Sequence, residues 1–295
     1  MLERDLTGKK PSILSDTMFK CMFVHENKLK YSCKFLSYFL DVSYDELLKT
    51  LRLGKNELDK HHENSKGERA DYVAHINDDI VNIEVNCNDS IEALERNMEY
   101  VYRLYSRKIK RGSSYQYSKV IQFNINNFAF DNNKKSFDIF YIRNDEGIVL
   151  NDKIAFVQIY IPNIKEKWYT NGIKSLSDLE KYLLLLVETS ISESKALAKG
   201  DIIMEDYIED AIDSTQDEWF GEAYDKEWAL KDQGFREGVE EGMKRGIEQG
   251  IEQGIEQNQR QIVRKMFDEK YSSKEIANIL GLTEEEVNKI KEDLK

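Results

Sequence analysis

Asp71 and, thirteen residues on, Glu84-Val85-Asn86 are the residues of this chain whose types and spacing could do chemistry. Two carboxylates sharing a divalent cation, with a polar side chain two residues beyond, suit hydrolysis of a phosphodiester. Mg²⁺ or Mn²⁺ held by the acids would polarise the phosphate and lower the pKa of an attacking water. The third residue would orient that water or stabilise charge on the phosphate. Acids are common on protein surfaces, so the pair has this meaning only if the fold brings it together. Otherwise the same residues are solvated acids on the outer face of a hairpin.

The elements that must position them read as strands. Ala70–Ile76 is one apolar stretch and Ile80–Asn86 is another, with the turn chemistry of Asn77-Asp78-Asp79 between them. Period-two alternation puts Asn82, Glu84 and Asn86 on one face and Val81, Ile83 and Val85 on the other. In an antiparallel pair, residues directly opposite share a face. A two-residue loop, Asp78-Asp79, pairs residue 77 with 80, faces Asp71 with Asn86 and makes Asp71 and Glu84 diagonal neighbours. A regular three-residue loop separates the carboxylates onto opposite faces. A site therefore requires an even-length turn, or a bulge that restores the phase.

In order and spacing, Ser15-Asp16-Thr17-Met18-Phe19-Lys20, Arg69-Ala70-Asp71, Ile83-Glu84-Val85-Asn86, Arg96–Tyr105 and Val120-Ile121-Gln122-Phe123-Asn124 form a set. It resembles the PD-(D/E)XK nuclease superfamily, in particular its recombination-promoting nuclease/putative transposase group. The resemblance covers roughly residues 12–190 and extends to the style of the tail. It implies an α/β, restriction-endonuclease-like fold with an αβββαβ-type core, a mixed sheet flanked by helices. It also implies DNA as the partner, Asp71 and Glu84 as ligands of Mg²⁺ (or Mn²⁺), and Asp16 as a third acid on the first helix. Ala70 stands where the superfamily name has Pro. Asn86 stands where Lys is named and where this group often has Gln; it can hydrogen-bond a water but carries no charge. The rival reading is a nuclease fold without catalysis, kept as an oligomeric DNA-binding or phage-defence protein.

A helix follows, from about Asn88-Asp89-Ser90, where Asp89 and Glu92 read as a capping box, to Arg111-Gly112. Arg96, Tyr100, Arg103 and Arg107 share one face of it. Leu94, Met98, Val101 and Tyr105 share another, expected to pack on the sheet. The arginines are either a solvated surface or a phosphate clamp in which Arg96 or Arg103 replaces the missing lysine. Charge favours the clamp. Net charge is −12, yet residues 1–162 hold 24 basic and 24 acidic residues, and residues 163–295 hold 19 and 31. Between 96 and 119, Arg96, Arg103, Arg107, Lys108, Lys110, Arg111 and Lys119 meet Glu99 alone. That basic run directly follows the proposed metal site, where a polyanion would lie.

The chain's 295 residues, 40% apolar, suffice for one sizeable core plus an extension. Cys21, Cys33 and Cys87 are too scattered for a disulfide framework or a zinc site. His61-His62 reads as a solvated loop, and His75 lies on the Asp71 face. Further strands are expected over 117–128, 137–143 and 154–161, and a core helix over 177–188. Its Leu183–Val187 run is too short to cross a bilayer. With no signal peptide at the start, a cytoplasmic protein is expected.

From Gly234 the pattern changes. Gly234, Gly238, Gly242, Gly246, Gly250 and Gly254 recur every four residues, each followed by an apolar residue. Six glycines weaken a lone helix by roughly 1 kcal/mol each. A period of four drifts about 40° per repeat and excludes a left-handed heptad coil. Self-association through the stripe and a flexible spacer are the alternatives. Beyond it, a helix over 259–271 and two more capped by Ser273 and Thr283 resemble a helix-turn-helix. The would-be recognition helix opens with Glu284-Glu285-Glu286, so an interaction module is the first reading and a DNA reader the second. The expected divisions are 1–200 (nuclease-like), 201–257 (helical repeat, oligomer-forming) and 258–295 (helical module).

Overall fold

The computed structural model describes residues 8–58, 68–87, 91–106, 117–130 and 133–293. The chain divides into two compact units, Met1–Glu227 and Trp228–Lys295. In the first, a short helix α1 (Asp16–Phe19) runs into a π-helical turn at Lys20–Val24 and is followed by α2 (Leu29–Ser37) and α3 (Tyr44–Thr50). Ser15 starts α1 because its Oγ accepts the Met18 amide hydrogen at 3.2 Å. The strands are β1 (Leu51–Leu53), β2 (Glu57–Leu58), β3 (Glu68–Arg69), β4 (Tyr72–Ile76), β5 (Asp79–Asn86), β6 (Val120–Asn126), β7 (Phe137–Arg143) and β8 (Val149–Tyr160). Helix α4 (Ile91–Ser106) crosses from β5 to β6, while α5 (Ile161–Asn171), α6 (Asp178–Val187), α7 (Ile191–Ala198) and α8 (Ile202–Ser214) complete the unit.

Among the described residues, six strands form one sheet in the order β1-β4-β5-β6-β8-β7. The pairs β5/β6 and β6/β8 are parallel, and the others are antiparallel. Helices, three strands, α4 and β6 thus run in the αβββαβ order, and the fold is the mixed α/β one expected. One face of the sheet is apolar throughout. Tyr72, Ile83, Phe123 and Val157 pack there with Phe35 of α2, Leu183–Leu186 of α6 and Ile208 of α8, all buried. The other face divides along the strands. Val73, Ile80, Val120 and Ile154 meet Tyr100, Val101 and Leu104 of α4, and farther along lies a row of buried amides and one carboxylate. Parallel central strands covered on both faces explain why β6 is buried at every position.

Several expectations shift. Tyr100 is buried and Met98 is exposed, the reverse of their expected places on α4. The helix covers a floor that is partly polar, so its inner stripe contains Asn97 as well as apolar residues. Strand β8 begins five residues earlier than expected because its first part forms a hairpin with β7, closed where Gly147 adopts φ 84°. Arg107, Lys108, Lys110, Arg111, the end of the helix at Gly112, the Asp89 cap and His61-His62 lie outside the described residues.

A single helix α9 (Glu218–Asp268) carries the glycine repeat. In the second unit, α10 (Ser273–Leu280) and α11 (Glu284–Asp293) fold around Val263, Ile276, Ala277 and Val287. The cap of α10 is Ser272, not Ser273: its Oγ accepts from the Glu275 amide while Glu275 reaches back to the Ser272 amide. Thr283 and Glu286 make the same reciprocal pair before α11. Among the described residues no helix is long and apolar enough to cross a membrane.

Candidate metal centre

The hairpin closes on an even-length loop, but one residue earlier than the two-residue turn considered above. Ile76 pairs with Asp79, leaving Asn77-Asp78 as the loop, and Tyr72 pairs with Ile83. Asn77 takes φ 54°, a left-handed conformation that Asn tolerates better than most residues. One step further along that register, Asp71 meets Glu84 directly rather than diagonally, and Asn86 is no longer its partner. The two acids are then latched to each other's backbone. The Asp71 amide donates to Glu84 Oε1 at 3.0 Å, and the Val85 amide donates to Asp71 Oδ2 at 3.1 Å.

Burial makes this pair costly. Glu84 is only 2% exposed. Burial first, and the neighbouring Asp71 charge second, push its carboxyl up to about 8. Burial and the charge of Asp16 also raise Asp71, while the Val85 amide, Lys20 and Arg96 oppose the rise. Two carboxyls held together out of water share at least one proton at neutral pH unless a cation takes its place. Among the described residues, Asp71 Oδ1 and Glu84 Oε2 accept no hydrogen bond, so each acid keeps one oxygen for a ligand. Oxygen donors from one or two carboxylates, completed by waters and substrate phosphate, are what Mg²⁺ takes. The pair fits such an ion.

The other expected residues fall in different places. Arg96 is exposed and acts on both carboxylates, and its guanidinium lies 6.0 Å from the centre of the Tyr100 ring. Arg103 is instead paired with Glu99 one turn back on α4. Asp16 is exposed and bonded to Lys20 at 2.6 Å. It contributes charge near Asp71, but among the described residues no group of three His, Cys, Asp or Glu converges on one point. Lys20 is a cation that the sequence reading missed. Its signals there were its place one turn after Asp16 and at the end of the Ser15–Lys20 stretch of the resembling set. Glu227 of α9 receives the Ser15 hydroxyl and the Asp16 and Thr17 amides at 2.7, 2.9 and 3.0 Å, which ties α9 to the start of α1.

Asn86 is buried, and both ends of its amide are engaged. Its Nδ2 donates to Asn126 Oδ1 at 2.9 Å and its Oδ1 accepts from Asn97 Nδ2 at 3.2 Å. It belongs to a buried amide network that the sequence reading did not identify. Asn82 Nδ2 donates to both Glu84 Oε1 and Gln122 Oε1, Gln122 Nε2 and Asn97 Nδ2 donate to Asn124 Oδ1, and Asn126 Nδ2 donates to Gln158 Oε1. The available signal was the alternation Gln122-x-Asn124-x-Asn126, which matches Asn82-x-Glu84-x-Asn86 in parallel register. Replacing Asn86 by Ala leaves Asn97 and Asn126 each short of a buried partner, at a cost of roughly 1–3 kcal/mol each. A fall in the urea midpoint checks this; an unchanged midpoint contradicts it.

No curated protein and no solved structure matches the chain significantly. Residues 253–293 match sigma-70 region 4. The family described as PD-(D/E)XK nuclease family transposase matches residues 13–232, which contain every element of the mixed sheet and the Asp71–Glu84 pair. Three quarters of its length carries that match, and the chain belongs to the PD-(D/E)XK nuclease family transposases.

Proposed function

We propose that the protein is an endonuclease that hydrolyses DNA phosphodiesters with Mg²⁺ or Mn²⁺ held by Asp71 and Glu84. The observation that carries this reading is the mutually latched carboxylate pair, Glu84 buried and Asp71 partly so, with one oxygen on each acid that accepts no hydrogen bond from the described residues. The bound ion would supply Lewis-acid polarisation of the phosphate and a water of lowered pKa. This chain's residues do the rest. Asp71 and Glu84 give up their shared proton when they bind the ion. Arg96 and Lys20, the cations acting on Asp71, attract and orient the phosphate in the role usually filled by a lysine at position 86. Asn86 holds the amide network that fixes Glu84. Alanine at Arg96 or Lys20 should each lower cleavage about 10- to 100-fold, chiefly through weaker substrate binding. A KM and kcat unchanged in both variants would remove them from the site.

The tail supports the DNA reading. Its resemblance to sigma-70 region 4 favours DNA contact over a purely protein-binding role for residues 258–295, with 1–200 as the nuclease-like part and 201–257 as the repeat between them in sequence. On α9 a side chain at Gly242 or Gly246 would meet open space, and Met243, Ile247 and Ile251 are exposed. A second copy covering that stripe would bring two sites to two strands. Gly242→Leu with Gly246→Leu should then raise helicity and lower the mass seen by light scattering. More helix with unchanged mass would assign the segment to a spacer. Recombination or mobile-element biology in the cytoplasm is the setting this reading fits.

A second reading, a nuclease fold without catalysis acting as an oligomeric DNA-binding or phage-defence protein, is favoured by the uncharged, fully engaged Asn86. Supercoiled plasmid incubated with the purified protein in Mg²⁺, Mn²⁺ or EDTA separates the two. Nicked or linear product in metal alone is expected of the endonuclease, and binding without product in any buffer is expected of its rival.

A further inference from the structure

On the far flank of α4 from Arg96, an open cavity of about 380 Å³ lies over β6, β7 and β8. Tyr102, Phe130, Phe140 and Phe156 form its aromatic walls, Leu94 and Met98 its helical side, and Asn124 and Gln158 its floor. These two floor residues are direct partners on adjacent strands, and Asn124 is also the register partner of Glu84. The floor is therefore one strand away from the candidate metal ligands.

The amide network fixes which atoms the floor presents. Glu84 Oε1 accepts from Asn82 Nδ2, which also donates to Gln122 Oε1. Gln122 must then offer its Nε2 to Asn124 Oδ1, at 2.9 Å. Asn124 Nδ2 is left buried, with no partner among the described residues. A second chain runs from Asn97 through Asn86 and Asn126 to Gln158 Oε1, and so leaves the Gln158 amide nitrogen as the donor end of that relay. Asn97 Nδ2 donates to Asn124 Oδ1 as well as to Asn86 Oδ1, so both relays take their direction from the Glu84 carboxylate. Both relays end as donors side by side. A buried unsatisfied amide donor in a native site calls for an acceptor.

We propose that this cavity captures one unstacked base of the nucleic-acid substrate, and that it favours bases with two adjacent acceptors on one edge. Guanine (O6 and N7) and cytosine (N3 and O2) have such an edge; adenine and thymine interpose a donor. The aromatic walls supply the stacking surface such proteins use for unpaired bases. Because α4 lies between cavity and acids, the captured base is a neighbour of the scissile nucleotide rather than the scissile nucleotide itself. The proposal deepens the endonuclease reading and rests on it for the identity of the ligand, but not for its test.

Fluorescein-labelled dC12, dT12 and dA12 are titrated with the full-length protein in EDTA, where no cleavage occurs, and anisotropy gives Kd. The expected order has dC12 tightest. Tyr102→Ala, which removes a half-exposed ring, should weaken dC12 binding about 5- to 100-fold. Gln158→Glu, which turns a donor into an acceptor, should erase the preference for dC12. Equal Kd for the three oligonucleotides, or no change with Tyr102→Ala, overturns the proposal. Plasmid cleavage in Mg²⁺ is read in parallel. Cleavage by a protein without base preference sinks the cavity alone, and base preference without cleavage sinks only the endonuclease.

Discussion

Asp71→Ala and Glu84→Ala should each lower metal-dependent cleavage at least about a hundredfold. Even partners that merely orient metal ligands contribute 10- to 100-fold, and here a ligand itself is lost. The two substitutions also act on one another's backbone. Removing the Asp71 carboxylate frees the Val85 amide, and removing the Glu84 carboxylate frees the Asp71 amide. Each variant therefore needs a circular dichroism spectrum matching wild type before its activity is read. Cleavage at wild-type rates by both folded variants would show that the pair does no chemistry.

The second large effect is on stability and carries a definite pH signature. In wild-type protein without metal, the Glu84 carboxyl sits at about 8 against an ordinary value of 4.5. Between those two values the folded state holds a proton that the unfolded state has released. Stability then falls as pH rises from 4.5 to 8, with nothing lost below 4.5. One pKa unit is worth about 1.4 kcal/mol, so the penalty at pH 8 is on the order of a few kcal/mol. Glu84→Gln keeps the side-chain volume and the acceptor for Asn82 and Asp71 while removing the charge. Its melting temperature should match wild type near pH 5 and exceed it near pH 8, by on the order of 5 °C. Mg²⁺ should narrow the gap by stabilising wild type alone. Parallel melting curves across that range would mean that Glu84 ionises as freely as a surface acid.

Legibility differed by element. Alternation made β4 and β5 readable, because a strand with one apolar face repeats every two residues whatever its partners are. The phase of their turn was not readable. Asn77-Asp78-Asp79 accommodates a two-residue loop in two ways, and the left-handed Asn77 that selects one of them is a conformational choice rather than a composition signal. Residues 71 and 84 were found together, but as diagonal rather than directly opposed partners. The face of α4 was misread at Met98 and Tyr100 because apolar spacing was the guide, whereas the floor beneath demands Asn97. The network from Asn82 to Gln158 spans three strands and a helix. Its members are adjacent only after β5, β6 and β8 have paired, and no local pattern states that pairing. The continuity of α9 through six glycines is likewise a property that local propensity opposes.

The most direct measurement is a calorimetric titration of Mn²⁺ into metal-free protein at pH 7.5, for wild type, Asp71→Ala and Glu84→Gln. A metal held by the latched carboxylates predicts one saturable site per chain in wild type, release of protons on binding, and loss of that site in both variants. Saturable binding of equal affinity in all three proteins would place the ion elsewhere and contradict the account.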